Sequence, residues 1–167
     1  MSARTLFRVT QCRRGTAAAE MALITPLLIT LMFGAFELGN YFLSEHAVSK
    51  AVRDGARYAS RRSFTEFTCS TVSADVLDKT RNIVRTGQVA NSGTPRLVGW
   101  TNSATITVSV TCNTAGGFTG IYTGKATGAP VVTVSASVPY SSLFQSLGFS
   151  STSLLLNASS QSAVMGV

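Results

Sequence analysis

The sequence predicts an α+β fold in which a long N-terminal transmembrane and stalk helix precedes a small antiparallel β-sheet domain with one short helix. Three observations predict this fold. Residues 17–39 are apolar with only two charged residues, a short stretch after Ser73 repeats apolar residues at helical spacing, and the second half of the chain alternates Val with Ser and Thr. The 167 residues suffice for one ordinary domain and a membrane segment, but hardly for two full domains.

The positive charge of the chain is concentrated at its beginning. The net charge is +7, and four arginines precede Gly15 while no Asp or Glu lies among the first nineteen residues. Without residues 1–15 the net charge falls to 10 minus 7, or +3. A basic folded surface is therefore not indicated, and we expect no nucleic-acid partner.

The apolar stretch from Ala17 to Gly39 has the length of one membrane span, since a helix needs about 20 residues to cross the hydrocarbon. The basic leader predicts a cytoplasmic N-terminus and a C-terminal part on the far side of the inner membrane. A cleaved secretory signal fits poorly because the apolar core is too long, and a twin-arginine signal fits less well still. An uncut signal anchor remains an alternative.

The helix is expected to continue beyond the span to about Arg61, for a total of roughly 65 to 70 Å at 1.5 Å per residue. In this continuation the basic residues fall on one side and small or apolar residues on the other, which predicts an amphipathic stalk. Asp54 is spaced to pair with Lys50 or Arg57. The basic side is Lys50, Arg53, Arg57 and Arg61, and the apolar side is Tyr41, Val48, Val52, Gly55 and Ala59.

Two segments in the first third of the chain, GTAAAEMALITPLLITLMFGAFELGNYF and AVSKAVRDGARYASR, resemble the TadE-like pseudopilins, minor pilin-like subunits of the Tad (Flp) type IV pilus. The resemblance rests on the basic leader, on a Gly-x-x-x-x-Glu processing site, here Gly15 and Glu20, and on a stalk motif. That motif is Gly55, Ala56, Arg57, Tyr58 and Ala59. The segments 132–144 and 154–165 resemble the end of these proteins, though less specifically.

The resemblance implies that a prepilin peptidase cuts between Gly15 and Thr16, which would make Glu20 the fifth mature residue. Other pilins and pseudopilins of the system would then be partners through the N-terminal helix. Major Flp pilins usually have Tyr after this Glu, whereas Met21 follows it here, so the resemblance favours a pseudopilin over the major fibre subunit.

Glu20 poses a physical question, because a carboxylate in the middle of a membrane costs about 2.5 to 3.5 kcal/mol and usually has a partner. Our hypothesis is that it neutralises the Thr16 ammonium of its own chain or of a neighbour and so sets the register between subunits. The alternative is that Glu20 reaches the headgroup level without a specific partner. Glu37, near the outer end of the span, is interpreted as interfacial.

The exported part is predicted to begin after Arg62. Ser73 caps a short helix whose inner face would be Val76, Leu77, Thr80, Ile83 and Val84, and Gly87 ends it. Strands are predicted over 104–112, 130–138 and 154–164, the first two as a hairpin, with a mobile Gly-rich loop over 113–129. The predicted domains are therefore a leader, 1–15, a transmembrane and stalk helix, 16–62, and an exported α+β domain, 63–167.

The three cysteines suit an oxidising compartment. Cys12 would leave with the leader, so Cys69 and Cys112 would be the pair able to close a disulfide after export. On the chain-entropy model, such a crosslink stabilises by roughly 4 kcal/mol before strain. Two free buried thiols remain the alternative, because spacing alone does not bring two Cβ atoms together.

No catalytic, cofactor or metal site is predicted. The single histidine, His46, lies in the stalk, and the stretch 119–126 departs from a phosphate loop at two positions. We therefore predict a non-enzymatic minor pilin for initiating or tipping a Tad pilus, which by implication of the family supports adhesion and surface colonisation. The alternatives are an anchored binding protein outside any filament, which predicts an uncut N-terminus, and a secreted β-domain that loses Glu20 with its signal.

Overall fold

The computed structural model describes residues 13–115, 118–125, 127–145 and 154–166. Most of the predicted leader, including Cys12, lies outside the described residues. The predicted long helix is present as α1, Arg13–Ser60. The chain divides into two compact units between Gly39 and Asn40. The second half of α1 is thus part of the folded unit, whereas the sequence placed the domain boundary after residue 62.

The short helix α2, Ala74–Thr86, has the ends that the sequence predicts. The Ser73 hydroxyl accepts a hydrogen bond from the Val76 amide, which satisfies one of the free donors at the helix start. Gly87 ends α2 with a left-handed φ of 80°, a conformation that costs glycine little. On the exposed side, a hydrogen bond to Asp75 raises the pKa of Lys79 above its usual value.

Three strands form one antiparallel sheet in the order β1-β2-β3. They are β1, Ile106–Asn113, β2, Ala129–Pro139, and β3, Leu155–Ala163. In the register, Thr107 lies opposite Ser135, and Ser135 lies opposite Ser159. The α+β class, the hairpin and the last strand are therefore confirmed, with strand ends that differ from the predicted ones by one or two residues.

The two faces of the sheet differ in chemistry because side chains alternate along each strand. The inner face is apolar and buried, and the outer face bears Ser and Thr with partial or full exposure. The inner residues pack into one core with the second half of α1 and with α2. The buried inner-face residues are Ile106, Val110, Val132, Val134, Ala136, Val138 and Leu156.

The core of the folded unit takes an entire face from α1. Val48, Ala51, Val52 and Ala59 are fully buried in that core. Burial of an apolar side chain is worth about 25 cal/mol per Å² removed from water. A three-stranded sheet with one 13-residue helix lacks the surface to cover its own inner face, so the stalk completes the domain.

Candidate functional site

The first candidate surface is the N-terminal half of α1, which belongs to the first compact unit. All its side chains from Gly15 to Phe36 are exposed, and most of them are apolar. Among the described residues, this is the one helix long and apolar enough to cross a membrane, by length and composition. Its exposed large side chains are Met21, Leu23, Ile24, Leu27, Leu28, Ile29, Leu31, Met32, Phe33 and Phe36. An exposed apolar surface of this extent is typical of a segment that lies in lipid or against another apolar helix.

Polar groups within this segment are partly satisfied by the helix itself. The Thr25 hydroxyl donates to the Met21 carbonyl at 2.6 Å, and the Thr30 hydroxyl donates to the Pro26 carbonyl at 2.8 Å. Pro26 has no N–H, so the Ala22 carbonyl loses its usual helical donor. Hydroxyls bonded back to the helix cost less to place in lipid, which suits a membrane-spanning role.

The predicted processing site and the predicted register residue lie in the first turns of α1. Gly15, Thr16 and Glu20 are all within the helix, and the latter two are four residues apart. Side chains at this spacing lie on the same face of a helix, one turn apart. Thr16 and Glu20 are exposed. This placement is compatible with the proposed pairing, and the processing and register roles remain predictions.

Glu37, the other carboxylate of the apolar stretch, is half-buried and lies three residues before the start of the second compact unit. Its interpretation as an interfacial residue stays a prediction.

The stalk motif lies in the second compact unit, where Gly55 is the point of closest approach to α2. A Cβ added at Gly55 would overlap Val84 Cγ2 and would lie 3.5 Å from Thr80 Cγ2. Glycine is therefore the residue that lets α1 and α2 pack at this separation. Ala56 and Ala59 are buried in the same core, which explains why the motif uses small residues.

Arg57 and Tyr58 differ from the small residues of the motif because they lie at its solvent-facing side. Arg57 is exposed, and Tyr58 is half-buried beneath the Arg62 guanidinium, which lies 4.5 Å from the ring centroid. A cation over an aromatic face is stabilised by the ring quadrupole, by roughly 0.5 to 1 kcal/mol at exposed sites. The motif thus combines packing positions with one aromatic contact at the surface.

The basic side of the stalk, Lys50, Arg53, Arg57 and Arg61, is exposed as predicted for a solvated face. The pairing predicted for Asp54 was wrong. Its carboxylate pairs with Arg96 at 2.9 Å, in a half-buried setting, and not with Lys50 or Arg57. The physical reason is tertiary: the segment after α2 brings Arg96 against the stalk, and its amide also donates to the Arg85 carbonyl.

The second compact unit contains a disulfide. Cys69 and Cys112 are bonded, with their Cα atoms 5.1 Å apart and a sequence separation of 43. The bond links the segment before α2 to the end of β1. The disulfide therefore crosslinks the segment between α1 and α2 to the edge strand β1.

Several residues that position the folded unit were missed by sequence reasoning. Trp100 is 2 % exposed, and its indole N–H donates to the Thr105 hydroxyl at 2.9 Å. A single tryptophan in a small domain was a signal that could have marked this core position. Asn40 donates to the Tyr140 hydroxyl at 2.9 Å, so the residue where the second unit begins is bonded to the end of β2.

The Gly-rich loop, predicted to be mobile, contains a short 3-10 turn at Gly120–Tyr122. The Tyr122 hydroxyl donates to the Val164 carbonyl at 2.7 Å, and its ring packs edge-on against Phe64. Val164 lies across from Pro130, which has no N–H to offer. The tyrosine therefore supplies the donor that the proline lacks, an anchor that glycine content alone did not reveal.

The residues considered for chemistry do not gather into a site. His46 is exposed on α1. Within the described parts of the chain, no three His, Cys, Asp or Glu side chains are grouped to hold a metal ion. The absence of a catalytic or cofactor site therefore stays a prediction drawn from the sequence.

The comparison with family models matched residues 15–57 to the TadE-like protein family. Neither the curated proteins nor the solved structures gave a match. The matched segment covers the apolar half of α1, Glu20 and most of the stalk motif, while the likeness predicted for 132–144 and 154–165 lies outside it. Over residues 15–57 the resemblance is confirmed, because this segment is similar to the TadE-like protein family.

Proposed function

We propose that this chain is a membrane-held minor pilin or pseudopilin that enters, primes or tips a Tad pilus. One observation carries the proposal: the first half of the segment that matches the TadE-like family, residues 15–36, is helical and mostly apolar, and its side chains are exposed on all sides. Such a helix can exchange lipid contacts for contacts with similar helices. Small residues at Ala22, Gly34, Ala35 and Gly39 would permit close approach.

Removal of the leader by a peptidase is part of the proposed function. A peptidase cut after Gly15 would remove the basic leader and leave an ammonium on Thr16, one helical turn from the Glu20 carboxylate. An ammonium and a carboxylate in an apolar environment stabilise one another only while both are present. A pair of this kind between staggered subunits would favour one register over its neighbours.

The proposed location follows from charge and composition. The leader would keep the N-terminus in the cytoplasm, a single span would cross the inner membrane, and the unit from Asn40 onward would lie outside. The Cys69–Cys112 disulfide supports an oxidising compartment for that unit. Adhesion and surface colonisation are then proposed as consequences of the pilus, and not as activities of an enzymatic site.

The test is the mature N-terminus of the protein in its native membrane, measured by intact mass and terminal sequencing. We expect a chain that begins at Thr16. As a matched control, Gly15→Leu should retain the leader in the same membrane, because the proposed site requires a small residue before the cut. A wild-type chain that still carries residues 1–15 would contradict the proposal and favour an uncut anchored binding protein.

A further inference from the structure

The edge strand β3 presents an ordered row of backbone groups to its surroundings. The Tyr140 amide donates to the Leu154 carbonyl, and the Val164 amide donates to the Pro130 carbonyl. Given the register of β2 and β3, the even-numbered residues of β3 therefore bond to β2. The N–H and C=O groups of the odd-numbered residues point away from the sheet. These residues are Leu155, Asn157, Ser159, Gln161 and Ala163.

The opposite edge of the sheet, on β1, is joined to other parts of the chain at two positions. On β1, the Ile106 carbonyl accepts a hydrogen bond from the Arg81 guanidinium at 3.2 Å, and Cys112 is held by its disulfide. On β3, no described residue is seen to bond the outward groups between 155 and 163. The next outward amide, that of Met165, donates to the Ser60 carbonyl at 2.7 Å, so the open stretch ends there.

The open edge also lacks the devices that usually prevent strand pairing. Edge strands are commonly blocked by charged side chains, proline or a bulge. β3 contains no charged residue and no proline over its nine residues, and its register with β2 runs without interruption. A strand of this length without such protection is a template for another strand.

We propose that β3 pairs in antiparallel fashion with β3 of a second copy of this chain, about a two-fold axis through Ser159. Several registers would pair the outward-pointing backbone groups of one β3 strand with those of the other. The register centred on Ser159 is the one in which all five odd-numbered residues of each strand are paired. Ser159 then faces Ser159, Asn157 faces Gln161, and Leu155 faces Ala163. Hydroxyl meets hydroxyl, amide meets amide and apolar meets apolar, so the strand is complementary to itself, as a two-fold interface requires.

The same pairing would make the outer faces of the two sheets continuous, and both faces bear uncharged polar side chains. Thr107, Ser135 and Ser159 form one row across the sheet, and Ser109, Thr133 and Gln161 form the next. No charge would repel across the axis. A strand pair alone buries less than the roughly 1,200 Å² typical of stable complexes, so we expect association mainly where the copies are concentrated, as they are in a membrane. The concentration in a membrane rests on the proposed function, whereas the strand pairing itself concerns only the second compact unit.

Disulfide trapping tests the register. The full-length chain with Cys12→Ser and Ser159→Cys, in native membranes, is oxidised and run without reductant. Paired residues that exchange both hydrogen bonds have Cα atoms about 5.5 Å apart, within the range for a disulfide. We expect a homodimer. The matched control Asn157→Cys places the two thiols about 14 Å apart along the strands at 3.4 Å per residue, and should crosslink at least tenfold less.

Mixing Asn157→Cys with Gln161→Cys should restore crosslinking, because the register places these two positions opposite each other. Equal trapping of Ser159→Cys and Asn157→Cys alone, or trapping to a different protein, would overturn the proposal. So would the absence of any Ser159→Cys dimer in membranes where the protein is present and folded.

A charge test provides a second readout. Ser159→Lys would place two ammonium groups opposite each other on the axis, and like charges directly opposite destabilise a strand pair. Ser109→Lys adds the same charge to an exposed position on β1. In detergent, by light scattering over a concentration series, we expect Ser159→Lys to weaken dimerisation at least tenfold and Ser109→Lys to leave it unchanged. Equal effects of the two substitutions would overturn the proposed interface.

Discussion

Gly55 shows how a single missing side chain sets the separation of two helices. Alanine is normally favoured over glycine in a helix interior by about 1 kcal/mol. At Gly55, however, the added methyl group would overlap Val84 Cγ2, and both residues lie in the buried core. Steric overlap and helix propensity therefore oppose each other at this position, and in a packed interior we expect the overlap to dominate.

We predict that Gly55→Ala destabilises the second compact unit by about 1 to 3 kcal/mol, as overpacking of a core does. The measurement is urea unfolding of the full chain in detergent. Val84→Ala should relieve the overlap, so the double variant should be more stable than the sum of the two single effects. Gly39→Ala is the control, since a Cβ there meets nothing within 4 Å. Additive effects of Gly55→Ala and Val84→Ala would contradict this account.

Glu20 is the residue whose function depends most on its surroundings. Our prediction is that Glu20→Ala abolishes or strongly reduces pilus number and co-purification with partner pilins in a piliated host, because the Thr16 ammonium would lose its partner. Glu37→Ala is the matched control, since it removes the other carboxylate of the same helix. Normal pilus number and normal co-purification of the Glu20 variant would contradict the register role.

Along β3, backbone groups that bond to β2 alternate with backbone groups that point outward, just as inner-face side chains alternate with outer-face ones. The Ser160 amide lies on the side that bonds to β2, opposite Val134, whereas the Ser159 amide points outward. Proline is tolerated in a sheet where the N–H faces away from the ladder. The two neighbouring serines should therefore respond oppositely to the same substitution.

We predict that Ser160→Pro destabilises the chain by about 1 to 3 kcal/mol, the cost of leaving a buried acceptor without its donor. Ser159→Pro should cost less than this, because it removes no bond within the chain. The midpoint of thermal unfolding, followed by circular dichroism, distinguishes the two variants. The reverse order would show that the assignment of inward and outward groups on β3 is incorrect.

In the second compact unit, the stalk half of α1, the helix α2 and a small sheet share one core. The second compact unit has a modest size, and small domains bury a smaller fraction of their surface than large ones. Its core takes Val48 and Val52 from the stalk and Leu156 from the last strand, positions more than 100 residues apart. A crosslink between distant parts of such a chain therefore contributes a large part of its free energy of unfolding.

Removal of the disulfide by Cys69→Ala and Cys112→Ala should therefore lower the free energy of unfolding by about 4 kcal/mol, as expected for a closed loop of this length. The comparison is made by urea unfolding of the full chain, and reductant should reproduce the loss in the wild type. Cys12→Ser is the control and should have no effect. A loss of less than about 1 kcal/mol would indicate that the unfolded chain gains little freedom without the bond.

Much of this architecture could be predicted because its causes are local in sequence. Apolar length predicted the N-terminal helix, Ser73 and Gly87 predicted the ends of α2, and alternation predicted the three strands. Capping, periodicity and hydropathy each act over a few residues, and they were visible without a partner segment. The resemblance to TadE-like proteins also rested on contiguous motifs, and the family match covers most of them.

The remaining features could not be predicted because they join segments that are distant in the chain. Asp54 forms an ion pair with Arg96 and not with its neighbours on the helix, Trp100 is buried in the core, and the Tyr122 hydroxyl donates to the Val164 carbonyl. The stalk became part of the domain because the inner face of the sheet needs a cover that its own helix is too short to provide. The sequence by itself determined the elements and the long apolar N-terminal segment. Tertiary packing decided the partners of the polar side chains and which backbone groups of β3 are bonded by the described residues, since both depend on which segments meet in space.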